Sequence, residues 1–182
     1  MTTITQTQTQ LPTGTWSVDP VHSQVGFALD YMGGTFRGSF SPVAGTLEVA
    51  EDGTASINGS AQVTGVKVQD ENLSAHLLSP EFFDAERTPE LRFAADGIRR
   101  SGNEVSVDGE LTIKGITKPV ELTGTIGDPI QDAYGKDRVG LTLETTIDRT
   151  QFGLDWNLAL PSGEPALSND VTITAELYLV KA

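Results

Sequence analysis

The sequence predicts an all-β chain, an antiparallel up-and-down extended β-barrel with a short helical lid insert. Three observations predict it. From Thr15 onward apolar and polar residues alternate with the period of two that sends successive side chains to opposite faces of a strand. The connections between these runs are short and marked by glycine or proline, as hairpins require. One stretch alone, residues 70–93, carries apolar residues at helical spacing. Each strand has one apolar and one polar face, the pattern of an antiparallel sheet packed on one side. A sandwich is the competing architecture, and the regular hairpin spacing favours the barrel. About eight strands close into a barrel whose interior is filled by side chains or holds one ligand.

Taken in order, the chain opens with a Thr/Gln-rich segment over residues 1–14, read as a disordered lead-in to a single domain over residues 15–182. The lead-in has neither the basic region nor the apolar core of a signal peptide, and the expectation is a cytoplasmic protein. Val25, Phe27, Leu29 and Tyr31 share the first strand face, and Val43, Gly45, Leu47 and Val49 repeat the pattern. Ile57, Gly59, Ala61 and Val63 follow.

Then comes the interruption. Leu73, His76 and Leu77 fall on one face of a short helix, with Asp70 placed to cap its N-terminus. Ser79-Pro80 reads as a cap and first position of a second brief turn, and Pro89 ends the insert before Leu91 and Phe93 re-enter a strand. Alternation resumes with Val105, Val107, Gly109, Leu111 and Ile113, and with Val120, Leu122, Gly124 and Ile126. The last rows are Val139, Leu141, Leu143, Thr145, Ile147 and Val171, Ile173, Ala175, Leu177, Leu179. The inward rows are mainly valine, isoleucine, leucine, glycine and alanine, with phenylalanines near strand ends and in the insert, and the small residues along a barrel wall leave space: the expectation is a hollow apolar lumen.

Composition removes several function classes. The formal net charge is -13, which opposes binding to nucleic acid and to anionic membrane surfaces. No apolar run is long enough for a membrane-spanning helix, so no integral membrane association is expected. Cysteine is absent, which excludes disulfides, thiolate ligands and a cysteine nucleophile. The two histidines, His22 and His76, lie far apart without metal-ligand spacing. His22 and Ser23 are neighbours and would face opposite sides of a regular strand, so they cannot pair as base and nucleophile. No catalytic residue, metal site or cofactor is expected.

Five motifs in order then carry a family resemblance. Trp16-Ser17-Val18-Asp19-Pro20-Val21-His22-Ser23, with Phe27 beyond, resembles the opening of the YceI-like proteins. The segments Gly34 to Phe40, His76-Leu77-Leu78-Ser79-Pro80-Glu81-Phe82-Phe83-Asp84, Gly109 to Gly115 and Asp148 to Leu154 are similar to its later elements. Many members carry Arg-Asp directly before the His-Leu, where this chain has Ser74-Ala75. The resemblance implies a lipocalin-like extended barrel that binds a long isoprenoid or related amphiphilic lipid.

On that reading Phe27, Phe36, Phe40, Phe82, Phe83, Phe93, Phe152 and Trp156 are wall or gate residues. Leu77 joins them on a lid over residues 70–83. His22, His76 and Arg149 are candidates for polar contacts at the mouth. Each has a plainer reading: His22 as a structural hydrogen-bonding residue, His76 as packing, Arg149 as a turn or ion-pair residue, with at least one of Phe82 and Phe83 as simple core. Trp16 reads as a plug at the barrel end. For the head group, Arg37, Arg87, Arg149 and Lys118 are the cations to consider, although surface solubility explains each more simply. A neutral quinone fits so acidic a chain at least as well as a diphosphate. A packed, ligand-free interaction module is the alternative function, and an enzyme acting on a prenyl or ester substrate ranks below it. A homodimer is compatible with the chain if edge strands remain unpaired.

Overall fold

The computed structural model describes residues 11–182. Its strands are β1 (Gly14–Val18), β2 (Gln24–Tyr31), β3 (Gly34–Phe40), β4 (Val43–Val49), β5 (Ala55–Gln62) and β6 (Val66–Lys67), followed by the helix α1 (Glu71–Leu78). After the helix come β7 (Glu90–Ser101), β8 (Glu104–Ile113), β9 (Ile116–Ile126), β10 (Ile130–Gln131), β11 (Asp137–Asp148) and β12 (Asp170–Lys181).

Three of the barrel's walls are each made of two strands in line. β12 pairs with β1 through Val18↔Leu179 and with β2 through Gln24↔Glu176, so β1 and β2 are one long strand interrupted at residues 19–23. β3 and β4 are interrupted at Ser41-Pro42, a cis peptide, and β5 and β6 at a 3₁₀ turn over Val63–Gly65. Counted this way, eight antiparallel walls run β1/β2, β3/β4, β5/β6, β7, β8, β9, β11, β12 and return to the first. The closing pair, β11 with β12, holds register from Arg138↔Val180 to Asp148↔Asp170. The barrel is closed, as the alternation and hairpin spacing predict. The closed ring leaves no long free edge among the described residues, so the edge-pairing argument for a homodimer falls away.

The interruption at residues 19–23 is held by polar groups that take over the missing ladder bonds. The Asp19 N–H donates to the Tyr178 carbonyl, and the buried Ser23 hydroxyl accepts from the Tyr178 N–H. At Gly124 the β9 backbone lies so close to β11 that a Cβ would collide with the Thr142 carbonyl.

Two apolar clusters occupy the interior. The lower one surrounds Trp16, which is 1% exposed and donates its indole N–H to the Pro12 carbonyl. Residues 1–10 of the expected disordered lead-in lie outside the described residues. Leu11, within that lead-in, is buried in the lower cluster, and Gly14 already belongs to β1, so packing starts earlier than residue 15. A long apolar side chain next to the barrel's open end gains by covering the tryptophan.

The upper cluster joins Phe40, Val43, Ile147 and Phe152 to Leu77 and Phe82 of the insert. The insert crosses the gap left where β7 stops pairing with the β5/β6 wall. Asp70 caps α1 by accepting from the Leu73 N–H at 3.0 Å, as expected. Ser79 closes α1, its hydroxyl donating back to the His76 carbonyl at 2.6 Å, and its own carbonyl accepts from the Phe82 and Asp84 N–H groups, opening the brief turn expected there. Residues 80–87 then form linked turns, with Thr88 tying them down through bonds to the Phe83 and Asp84 carbonyls.

Candidate functional site

Between the two clusters lies a cavity of about 430 Å³. On β12 its lining runs from Val171 through Ile173, Ala175 and Leu177 to Leu179. At the usual strand rise and barrel tilt, that row spans roughly 26 Å of strand and about 20 Å along the barrel axis. Leu47, Leu122, Leu143 and Leu179 narrow the deep end above the tryptophan, and the insert covers the other end. The lining is overwhelmingly apolar, with Gly59 and Ala61 facing it from β5 where larger residues would fill it.

The aromatic residues expected to form wall and gate divide by height. Phe27 meets Phe36 at 6.2 Å and Phe40 at 5.6 Å between ring centroids, and Phe40 meets Phe83 edge-on at 5.4 Å. Gly38 makes this packing possible, since a Cβ there would run into the Phe27 ring. Phe93 lines the wall opposite. At the mouth, His76, Phe82 and Trp156 touch one another pairwise, with centroids 4.8 to 5.3 Å apart. His76 Nε2 is 2.5 Å from the Glu81 carboxylate, which orients the ring toward Trp156. Both Phe82 and Phe83 border the cavity, so neither is core alone, and Leu77 borders it from α1.

Two expected positions are corrected. Phe152 is not part of the wall: it is 1% exposed and packed within the upper cluster, because the 3₁₀ turn over Arg149–Phe152 swings its ring behind the lining. His22 is not at the mouth. Its side chain is 64% exposed on the outer surface, where Nδ1 contacts Asp19 at 2.7 Å and the ring meets Tyr178 edge-on. The strand interruption turns it out of the barrel. Asp19 also accepts from Arg138, which in turn donates to Asp132 at 2.6 Å. His22 first, then the Val21 N–H and Arg138, hold the Asp19 carboxyl down at about 2 against the opposing pull of burial.

Arg149 departs from its expected surface role. It is 4% exposed and borders the cavity. Its Nε donates to the Ser168 carbonyl, and its Nη1 donates to the carbonyls of Leu154 and Trp156. Burial pulls its pKa below the ordinary arginine value. Of the other cations, Lys118 and Arg87 are exposed, and Arg37 lies in a shallow groove on the outer wall.

Leu154, Leu167 and Tyr31 also border the cavity. Leu167 is brought there by an isolated bridge to Tyr31 from an irregular segment, and nothing in the local alternation marks it. Among the described residues, no group of three or more His, Asp or Glu is placed to hold a metal ion, and no helix is long and apolar enough to cross a membrane.

A family model described as the YceI-like domain matches residues 16–179. Protein YceI of Escherichia coli O157:H7 is 27% identical over 146 residues, covering 79% of this chain and 76% of that protein. Protein YceI of Salmonella arizonae is likewise 27% identical, over 149 residues, covering 80% and 78%. Among solved structures, Burkholderia cenocepacia BcnA superposes with a TM-score of 0.74 at 20% identity, covering 91% of this chain and 99% of that one. A polyisoprenoid binding domain from Saccharophagus degradans, implicated in plant cell wall breakdown, gives 0.66 at 12% identity, covering 92% and 98%. At these identities the structural likenesses speak for the fold.

Proposed function

The chain belongs to the YceI-like domain family, and from that membership we propose that its barrel binds a long isoprenoid or similar amphiphilic lipid, for transport or storage and without turnover. The observation that carries the reading is the apolar lumen of the barrel beneath an aromatic mouth. A prenyl chain entering it leaves water and gains about 25 cal/mol for each Å² of apolar surface buried. An elongated, narrow lumen suits a chain rather than a compact ring system, and its volume falls within the usual range of ligand pockets. The polyisoprenoid-binding neighbour, which shares the architecture, supports the same ligand class.

Tryptophan fluorescence tests the proposal. Trp156 borders the lumen and Trp16 lies beneath its floor. A prenyl quinone titrated into the protein is expected to quench tryptophan emission saturably, with displacement by an unlabelled prenyl lipid. Absence of saturable quenching, with no displacement by any prenyl lipid, counts against the lumen as a lipid site.

A further inference from the structure

The hairpin joining β2 to β3 turns on two residues, Met32 and Gly33, both in the left-handed region at φ 46° and 81°. Such a turn favours asparagine or aspartate at its first position, whose short polar side chains bond the local backbone. Methionine meets no local need there, yet its side chain stands about half exposed. The Met32 N–H donates to the Ala166 carbonyl, and the Ala166 N–H donates to the Leu158 carbonyl. Residues 157–167, closed on themselves by the Ala159↔Pro165 bridge, thus extend the wall at the lid end of the barrel. Leu158 is also about half exposed, and Ala166, on the strand between it and Met32, is buried. Tyr31 and Leu167, one residue along and paired with each other, border the lumen. One rung of this rim therefore faces the lumen, and the next presents a methionine and a leucine to solvent, roughly 10 Å apart at two strand spacings.

Charge sets the same rim apart. The chain carries a formal net charge of -13, yet residues 31–36 hold no charged side chain and residues 156–168 hold only Glu164. Single exposed hydrophobic residues are ordinary on a protein surface. Two that flank a buried alanine, on a charge-poor rim beside the mouth, form a patch that suits an uncharged apolar partner. We propose that this rim, Met32 and Leu158 foremost, is where the protein touches a zwitterionic phospholipid surface to collect or deliver its lipid. A prenyl chain that crosses water exposes all its apolar area, and contact with the bilayer spares that cost. Uncharged tips can sink into the boundary between head groups and acyl chains, while the acidic remainder is repelled by anionic lipid. A second copy of this chain would bring the same -13 to the contact, which opposes pairing through so small a patch. The inference rests on the lipid-binding reading and adds the surface from which the lumen is filled.

The test follows uptake of a prenyl quinone by tryptophan quenching, with the quinone supplied either from phosphatidylcholine vesicles or from a cyclodextrin complex. From vesicles, the wild-type rate is expected to rise in proportion to vesicle concentration, as transfer by contact requires. It is expected to fall when phosphatidylglycerol replaces phosphatidylcholine. Met32→Asp combined with Leu158→Glu is expected to slow uptake from vesicles by about tenfold or more. Uptake from cyclodextrin is expected to stay unchanged, which also reports an intact barrel; aspartate suits the left-handed position. Ile130→Glu, a charge placed on an exposed apolar residue at the Trp16 end, is expected to leave both routes unchanged. A wild-type rate independent of vesicle concentration overturns the docking surface while leaving lipid binding intact, and this measurement needs no variant. A double variant as fast as wild type from vesicles, or an Ile130→Glu variant equally slowed, also overturns it. So does a wild-type dimer in sedimentation velocity that the double variant converts to monomer, since the rim then belongs to a second copy. No uptake by either route removes the lipid-binding reading, and the docking surface with it.

Discussion

His76 of α1 and Trp156 of the segment after β11 meet edge to face across the mouth of the barrel, their ring centroids 4.8 Å apart and their planes at 88°. The contact joins the insert to the opposite rim, and Phe82 completes it at 5.3 Å from Trp156. On the lipid-binding reading proposed above, these rings gate entry to the lumen.

Replacing Trp156 with alanine therefore is expected to speed release of a bound prenyl lipid. Aromatic contacts contribute about 0.5–1.5 kcal/mol each beyond burial, so loss of the two is expected to raise the dissociation rate by about tenfold or more. Stopped-flow displacement measures this, and far-UV circular dichroism is expected to show an unchanged barrel.

Filling the lumen is expected to separate binding from folding. Ala175 lines the cavity midway along the β12 row, and Ala175→Phe places an aromatic ring where the chain would pass. Lipid affinity is expected to fall by at least about tenfold, a loss of ~1.4 kcal/mol, while the thermal midpoint changes little. A midpoint that collapses together with binding contradicts the existence of free space at this height.

Trp16 supports the fold rather than the site. Buried at 1% exposure among Leu11, Leu47, Ile126 and Leu179, it is expected to cost about 3–5 kcal/mol of unfolding free energy when replaced by alanine. Urea denaturation followed by circular dichroism checks the figure.

The Asp19 network predicts a pH signature. Its folded pKa of about 2 lies below the ordinary carboxyl value of 3.8, with the hydrogen bond to His22 as the largest cause. A depressed carboxyl contributes stability above the unfolded pKa and loses it as pH falls through the folded one. The Asp132 carboxyl, held at about 2 chiefly by Arg138, acts in the same window. Asp19→Asn is expected to be less stable than wild type at pH 7, with the difference shrinking from about pH 4 toward pH 2. Urea midpoints at pH 7, 4 and 2.5 check it; a difference that stays constant contradicts the assignment.

Much of this architecture was legible in the sequence because alternation reports which face a residue takes. Every inward row, from Val25–Tyr31 to Val171–Leu179, follows it, and the phenylalanines at 27, 36, 40 and 93 reach the lumen by parity alone. The Asp70 cap was legible from local chemistry. What escaped depends on breaks in periodicity. His22 sits in an interrupted wall, where parity no longer predicts direction. Phe152 follows a 3₁₀ turn, so its ring lies in the core rather than the lining. Leu167 belongs to an irregular segment whose position is set by pairing with distant Tyr31. The burial of Arg149 was hidden for a related reason: its partners are backbone carbonyls, which leave no trace in side-chain identity.

The most direct test of the lipid-binding account is native mass spectrometry of the protein gently purified from its own cells, followed by organic extraction and identification of what is released. The account predicts a stoichiometric mass increment that disappears on extraction and yields one long-chain isoprenoid or related amphiphile. A protein that flies at its bare mass, yields no lipid and does not take up added prenyl lipids contradicts it.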